Sequence, residues 1–299
     1  MVKVSVIIPT YGMPVFLEKS IDSVINQSMK DLELIIVDDN NPNTEERNVT
    51  EKIVNNYLKK DTRISYIKHE FNKNGSAARN TGIKVAKGKY ISFLDSDDEY
   101  GKDRLELCVN CIENCDDPKF AGVYTGCEFR KEGKTYLQYK NVKGGNFLIE
   151  TLASTFMFCT GSNIFMKADV IRKLGGFDDS FFRHQDYEFL VRYFEKFSLL
   201  AIPEMLVIKN NENFNLPNPE KIEAVKKQYL GKYKDIIEMQ SSENQKFIYS
   251  SQLISLAEMY IKSGNQKKSK VLYNKASKIK KVELKYKIRR VLLSIKYRQ

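Results

Sequence analysis

Two rhythms of apolar and polar positions alternate through the first hundred residues. Val2 to Pro9 is an apolar run of strand type, whereas Val15 to Asn26 sets Phe16, Ile21, Val24 and Ile25 at helical spacing. Leu32 to Val37 predicts a second strand ending at Asp38-Asp39, and residues 44–59 a polar-faced helix with Ile53, Val54, Tyr57 and Leu58 inward. Arg63 to Lys68 predicts a third strand and Ala77 to Ala86 a helix stopped by Gly88. Lys89 to Leu94 predicts a fourth strand ending in Asp95-Ser96-Asp97-Asp98. Strands with β-branched cores, separated by helices, predict an α/β fold: a mostly parallel sheet covered on both faces.

Beyond residue 115 the rhythm loosens. Phe120 to Arg130 and Lys134 to Tyr139 read as an antiparallel pair around Glu132-Gly133. Helices are expected over Phe147–Phe156, Ala168–Leu174 (stopped by Gly175-Gly176) and Asp186–Phe197, with strands over Ser162–Met166 and Leu199–Lys209. Asn210 to Pro219 reads as a linker, and everything after it as helix. This divides the chain into a first domain over 1–212 and a C-terminal helical domain over 213–299.

Composition supports that division. The 299 residues are 42% hydrophobic and 29% charged, which excludes disordered, collagen-like and disulfide-scaffold classes. The longest wholly apolar runs fall far short of a bilayer span. Five cysteines in a long chain predict reduced thiols and a cytoplasmic location. The net charge of +11 is not evenly spread: residues 215–299 carry 20 Lys and Arg against 7 Asp and Glu, while residues 1–214 carry 29 against 31. A near-neutral body thus carries a basic tail, which predicts a polyanionic partner at one end only.

In parallel sheets, ligands sit beyond the carboxyl ends of the strands. Here those ends are Thr10-Tyr11, Asp38-Asp39, His69-Glu70 and the Asp95 cluster, one polar rim. Carboxylates gathered at a strand end suit a hard divalent ion and the phosphate oxygens of a substrate, although an acidic turn with an Asx cap is an ordinary alternative. The first strand end lacks both a G-x-G-x-x-G turn and a phosphate-loop lysine, so a glycine cradle is excluded. Asp38 and Asp39 could accept from a base or ribose, and Tyr11 could stack. Cys108, Cys111 and Cys115 share one helical face but lack a fourth zinc ligand, so they read as small apolar residues.

Val4-Ser-Val-Ile-Ile-Pro-Thr-Tyr11, Leu34-Ile-Ile-Val-Asp-Asp39, Gly75-Ser-Ala-Ala-Arg79-Asn80, Tyr90-Ile-Ser-Phe-Leu-Asp-Ser-Asp-Asp98, Gly175-Gly-Phe-Asp178 and Gln185-Asp186 together resemble the family 2 glycosyltransferases over residues 1 to about 210. The resemblance implies a GT-A fold, an inverting mechanism, a nucleotide-diphosphate-sugar donor and Mn²⁺ or Mg²⁺. It implies nucleotide-sugar contacts at Pro9, Thr10, Tyr11, Asp38, Asp39, Arg79, Asp95, Ser96 and Asp97, with Asp39 on uracil, Asp95 by the ribose and Asp97 as metal ligand. Asp186 would be the catalytic base. Gln185 stands where the family has Glu, which leaves the base intact but puts the Glu's role in question. His184 and Gln185 could touch the diphosphate or acceptor, and His69 receives no role.

In the tail, residues 252–281 have helix-turn-helix character, with one degenerate likeness to a tetratricopeptide repeat. Leu284, Ile288, Val291, Leu292 and Ile295 form a stripe flanked by Lys285, Lys287, Arg289, Arg290 and Lys296. Such a helix either docks on an anionic membrane or packs on its neighbours. Nucleic acid is a poorer partner, since aromatics are few among the basic residues and no motif is present.

The sequence therefore predicts a cytoplasmic glycosyltransferase, peripheral at the inner face of the plasma membrane. It would move a hexose from a UDP-sugar to a saccharide or lipid-linked saccharide in surface polysaccharide assembly of the capsule or exopolysaccharide type. Oligomerisation through the tail stays open. Two other classes compete: a sugar nucleotidyltransferase, disfavoured because Pro9-Thr10-Tyr11-Gly12 lacks Lys and Arg, and an inactive scaffold that recruits partners through its tail.

Overall fold

A computed structural model describes residues 2–210 and 218–297. Residues 2–146 and 158–210 form one compact unit; 147–157 and the described residues from 218 form another. Most of the linker expected at 210–219 lies outside the described residues.

The first unit follows the predicted alternation. Strand β1 (Val4–Thr10), helix α1 (Leu17–Ile25), β2 (Leu32–Asp38), α2 (Glu45–Leu58), β3 (Ile64–Lys68), α3 (Gly75–Val85) and β4 (Tyr90–Phe93) give a parallel sheet in the order β3-β2-β1-β4. Val4, Val6, Ile8, Leu34 and Ile36 are buried against one layer of helices. Ile7, Ile35 and Ile91 are equally buried, which is why these strands read as continuous apolar runs.

Beyond this parallel core the sheet becomes mixed. β5 (Asp98–Tyr100), α4 (Arg104–Glu113), β6 (Phe120–Lys131) and β7 (Lys134–Tyr139) come next. A 3₁₀ turn (Gly161–Asn163), β8 (Phe165–Lys167), α6 (Ala168–Lys173), α7 (Gln185–Phe194) and β9 (Ser198–Asn210) follow the inserted segment. The order continues β4-β8-β6-β9-β5, and β8 runs antiparallel to both β4 and β6. β6 pairs with β9 in parallel and with β7 antiparallel, around Glu132-Gly133 as expected. The sheet is mixed because β5, β7 and β8 each run antiparallel to the strands they pair with.

Cys127 on β6 and Cys159, just before the 3₁₀ turn, form a disulfide, which corrects the expectation of five free thiols. Cys108, Cys111 and Cys115 remain free, with Cys108 buried under the sheet.

The second unit is helical. α5 (Leu148–Leu152) lies in a segment that sequence alone placed in the first domain. It belongs to one unit with α8 (Pro219–Lys232), α9 (Lys234–Glu238), α10 (Ser242–Lys262), α11 (Gln266–Ile279) and α12 (Leu284–Lys296). Tyr229 donates to Thr151 O at 2.9 Å and Gln252 to Leu152 O at 2.6 Å, so non-local partners satisfy the end of α5. Leu256, Ala257, Tyr260, Leu272, Tyr273 and Ala276 fill the space between α10 and α11.

Candidate functional site

Strand ends β1, β2 and β4 open onto a cleft of about 700 Å³. Pro9, Thr10, Tyr11, Asp39, Arg79, Asp95, Ser96 and Asp97 all line it, so eight of the nine expected nucleotide-sugar residues meet at one place. Thr10 is buried at the cleft wall, and its hydroxyl has no partner among the described residues.

Asp38 is the exception. Successive strand residues point to opposite sides, and Asp38 turns away from the cleft. It accepts from Tyr66 Oη at 2.5 Å and Asn40 N at 2.9 Å, and pairs with Arg47 Nε at 3.3 Å. Asp38 holds the end of β2, which corrects its expected place among the nucleotide contacts. Asp39 faces the cleft and also organises it. His69 Nδ1 lies 2.7 Å from its Oδ1, and Lys73 N, Asn74 N and Asn72 Nδ2 donate to the same carboxylate at 2.8–2.9 Å. His69, given no role from sequence, thus helps fix the loop that leads into α3.

The acidic motif is divided by its surroundings. Asp98 is fully buried where β5 pairs with β9, directly across from Lys209. Its carboxylate accepts from Ser162 Oγ at 2.6 Å and lies 3.5 Å from Lys209 Nζ. Asp95 accepts from Thr160 Oγ1 at 3.0 Å and Arg79 Nη2 at 2.5 Å, and Asp97 is exposed to the cleft. Arg104, buried beneath this site, donates to Asn163 Oδ1 and Ser162 O, which fixes the turn carrying Ser162. Asn210 donates to Asp97 O at 3.0 Å. Lys209, Thr160, Ser162 and Asn210 were not found from sequence, because single residues on separated elements leave no motif.

Oxygens from Asp95, Asp97 and Asp98 lie within 4.8 Å of one another. Burial disfavours the Asp95 charge, but Arg79, Lys209 and Thr160 outweigh it and hold the carboxyl below its ordinary range. Asp97 is raised by desolvation and by Asp95, against the pull of Lys209. Asp98 is pushed up to about 7 by burial and by Asp97 and Asp95, again against Lys209. Lys209 resists its own desolvation because all three carboxylates raise it. Two carboxyls raised in spite of a buried ammonium mark a cluster still short of positive charge. All-oxygen donors of this kind fit a hard divalent ion on the cleft side, at Asp97 with Asp95 adjacent.

Asp98 also sets a pH dependence. Its native carboxyl holds a proton more tightly than the unfolded one, so its contribution to stability is lost as pH rises between 3.8 and about 7. In chelator, the melting temperature is expected to fall across that window, and the fall should shrink in Asp98→Asn. Thermal unfolding at stepped pH checks this; an equal fall in both proteins would exclude Asp98 as its origin.

α7 brings the second half of the site. Asn80 on α3 donates to Phe177 O and accepts from Phe177 N, each at 2.8 Å, which pins the turn after Gly175-Gly176. Both glycines have positive φ, and a side chain at Gly176 would collide with Asn80. His184 caps α7 in the left-handed region, outside the cleft lining, and its ring lies 5.7 Å from Tyr187. Gln185 Oε1 accepts from Arg79 Nη1 at 2.8 Å. Arg79 therefore bridges the Asp95 strand end and the start of α7, where Asp186 stands. Burial raises Asp186, Asp95 adds to the rise and Arg79 opposes it. Glu188 points elsewhere, paired with Arg192 at 2.7 Å. The arrangement joins an oxygen-donor cluster and a guanidinium at the cleft, and ties both through Gln185 to the start of α7, where Asp186 lies outside the cleft lining.

The model of glycosyl transferase family 2 matches residues 5–175. An uncharacterized glycosyltransferase, MJ1057 of Methanocaldococcus jannaschii, is 33% identical over 237 residues, 77% of either chain. The amylovoran biosynthesis glycosyltransferase AmsB of Erwinia amylovora is 30% identical over 67% of each. A Campylobacter jejuni β-1,3-glucosyltransferase, named for GalNAc(5)-diNAcBac-PP-undecaprenol, is 37% identical over 44% of this chain and 40% of its own. Among solved structures, S. aureus TarS 1-349 with UDP-GlcNAc superposes with a TM-score of 0.60 at 15% identity, covering 92% of this chain and 90% of that one. The Pyrobaculum calidifontis mannosyltransferase PcManGT with GDP-Man and Mn²⁺ gives 0.58 at 15%, covering 98% and 84%. These likenesses establish the GT-A fold.

Proposed function

The chain belongs to glycosyl transferase family 2, and on that premise we propose that it is an inverting, metal-dependent hexosyltransferase. It would take its sugar from a UDP-sugar and pass it to a saccharide or lipid-linked saccharide in surface polysaccharide assembly. The observation that carries the reading is the Asp95–Arg79–Gln185 bridge, which ties the start of α7, where the raised carboxyl of Asp186 stands, to the acidic strand end. The nucleoside lies against Pro9, Thr10, Tyr11 and Asp39, the ribose by Asp95 and the diphosphate toward Arg79, Ser96 and Asp97. A divalent ion held by Asp97 with Asp95 would neutralise charge on the departing diphosphate. Asp186 takes the proton of the acceptor hydroxyl as that oxygen bonds to the anomeric carbon. The bond from that carbon to the phosphate oxygen breaks, UDP leaves and the configuration inverts. TarS, solved with UDP-GlcNAc, supports UDP, and PcManGT, solved with Mn²⁺, supports the ion. The undecaprenol-linked name of the Campylobacter relative and the amylovoran name of AmsB support the acceptor class.

The metal assignment is tested by Asp97→Ala, expected to abolish the gain in UDP affinity that Mn²⁺ confers. An undiminished gain, read by calorimetry, removes Asp97 as the ligand.

We also place the protein at the inner membrane surface. No helix among the described residues is long and apolar enough to cross a membrane. On α12, however, Leu284, Ile288, Val291, Leu292 and Ile295 are 52–69% exposed, while Arg289 pairs inward with Glu258 at 3.0 Å. Co-sedimentation with phosphatidylglycerol vesicles, lost in Leu292→Glu and in high salt, is the expected result. Retention by that variant would assign the stripe another partner.

A further inference from the structure

The helical unit holds a second cleft, of about 380 Å³, between α8, α10 and α11. Leu230, Leu253, Leu256, Leu272 and Ile279 wall it, and Lys226 lines it. Lys226 occupies a position on the inward face of α8, between Ile222 and Tyr229, where an apolar residue is the ordinary choice. Its side chain is buried, and its ammonium donates to Gln252 Oε1 at 2.6 Å. Gln252 in turn donates to Leu152 O at 2.6 Å and Ser154 Oγ at 2.9 Å. Among the described residues no carboxylate lies within ion-pair distance of Lys226. Glu223, the one acid lining the cleft, is engaged by Tyr260 Oη at 2.6 Å and Lys268 at 3.4 Å, while Lys227 and Lys275 add two further positive charges.

A buried cation with one neutral partner leaves donors unused and a charge uncompensated in an apolar setting. Desolvation pulls the amine down to about 8, so near neutral pH it still carries a proton in need of an anion. We propose that this cleft binds a single-chain anionic amphiphile, its apolar chain along Leu253, Leu256 and Leu272 and its terminal carboxylate or phosphate on Lys226. The site is confined to the helical unit and does not rest on the donor-site reading.

The test is calorimetry on the full chain with monomeric dodecyl phosphate, dodecanoate, dodecanol and inorganic phosphate. One amphiphile per chain is expected, held at least tenfold more tightly than dodecanol, with no heat from inorganic phosphate. Whichever of dodecyl phosphate and dodecanoate binds more tightly identifies the anion as phosphate or carboxylate. Lys226→Met should weaken binding at least tenfold and Lys226→Arg less than threefold, with UDP binding unchanged in both. Equal affinity for dodecyl phosphate and dodecanol, or no binding, overturns the proposal. So does a Lys226→Met variant that lowers the melting temperature yet binds as before, since Lys226 would then serve only to orient Gln252. Should Lys226→Met fail to fold, the comparison of anion with alcohol on the unaltered chain decides.

Discussion

Asp186→Asn is expected to lower the rate of sugar transfer by about 10³-fold while UDP affinity stays within twofold, the range associated with loss of a general base. The substitution is well matched to the site. Asp186 Oδ1 accepts from Tyr187 N at 2.9 Å, and the Asn side-chain oxygen can keep that bond, so the first turn of α7 is preserved and only the proton-accepting capacity is lost. The raised carboxyl brings the base closer to the working pH. In the unaltered enzyme kcat/KM should therefore fall as pH drops through a value above the ordinary carboxylate one. Initial rates and calorimetry on the same preparations separate catalysis from binding; turnover near that of the unaltered enzyme would remove Asp186 from the role.

The second large effect is expected at Arg79. Arg79→Met deletes the bonds to Asp95 at 2.5 Å and Gln185 at 2.8 Å, and leaves Asp95 beside Asp97 and Asp98 with Lys209 as the nearest remaining cation. Breaking a partly exposed pair of this kind should cost ~2 kcal/mol of stability, below the value for a fully buried pair. Transfer should fall about 10²-fold, because the strand end and the base-bearing helix lose their common tether. Arg79→Lys discriminates between charge and bridging. A lysine restores a cation beside Asp95 but has no planar fork to reach Gln185 as well. Stability should then recover while kcat stays low; full recovery of kcat would show that the charge alone matters.

The parts legible in the sequence are those with a local cause. The β1 to β4 alternation could be read because each strand is buried on both faces and each helix has a period of its own. The motifs carried the site because strand ends in a parallel sheet share one edge. Asp38 was misplaced although the rule that separates it from Asp39 is elementary: adjacent strand residues cannot both face the cleft. Asp98 reads as one of three equivalent acids until β9 brings Lys209 across from it. β5 has three residues, too few for any period, and the union of α5 with the C-terminal helices depends on Tyr229 and Gln252, about 80 and 100 positions away. The Cys127–Cys159 bond spans 32 residues without a local pattern. Asp38 apart, the missing information was long-range pairing.

On the proposed reading, the cleft is a metal-assisted UDP-sugar site. Calorimetry of UDP, GDP, CMP and TDP with Mn²⁺ and with chelator tests it most directly. UDP is expected to be the tightest ligand, weakened at least tenfold by chelator. Tighter binding of GDP, or UDP affinity indifferent to chelator, would contradict it.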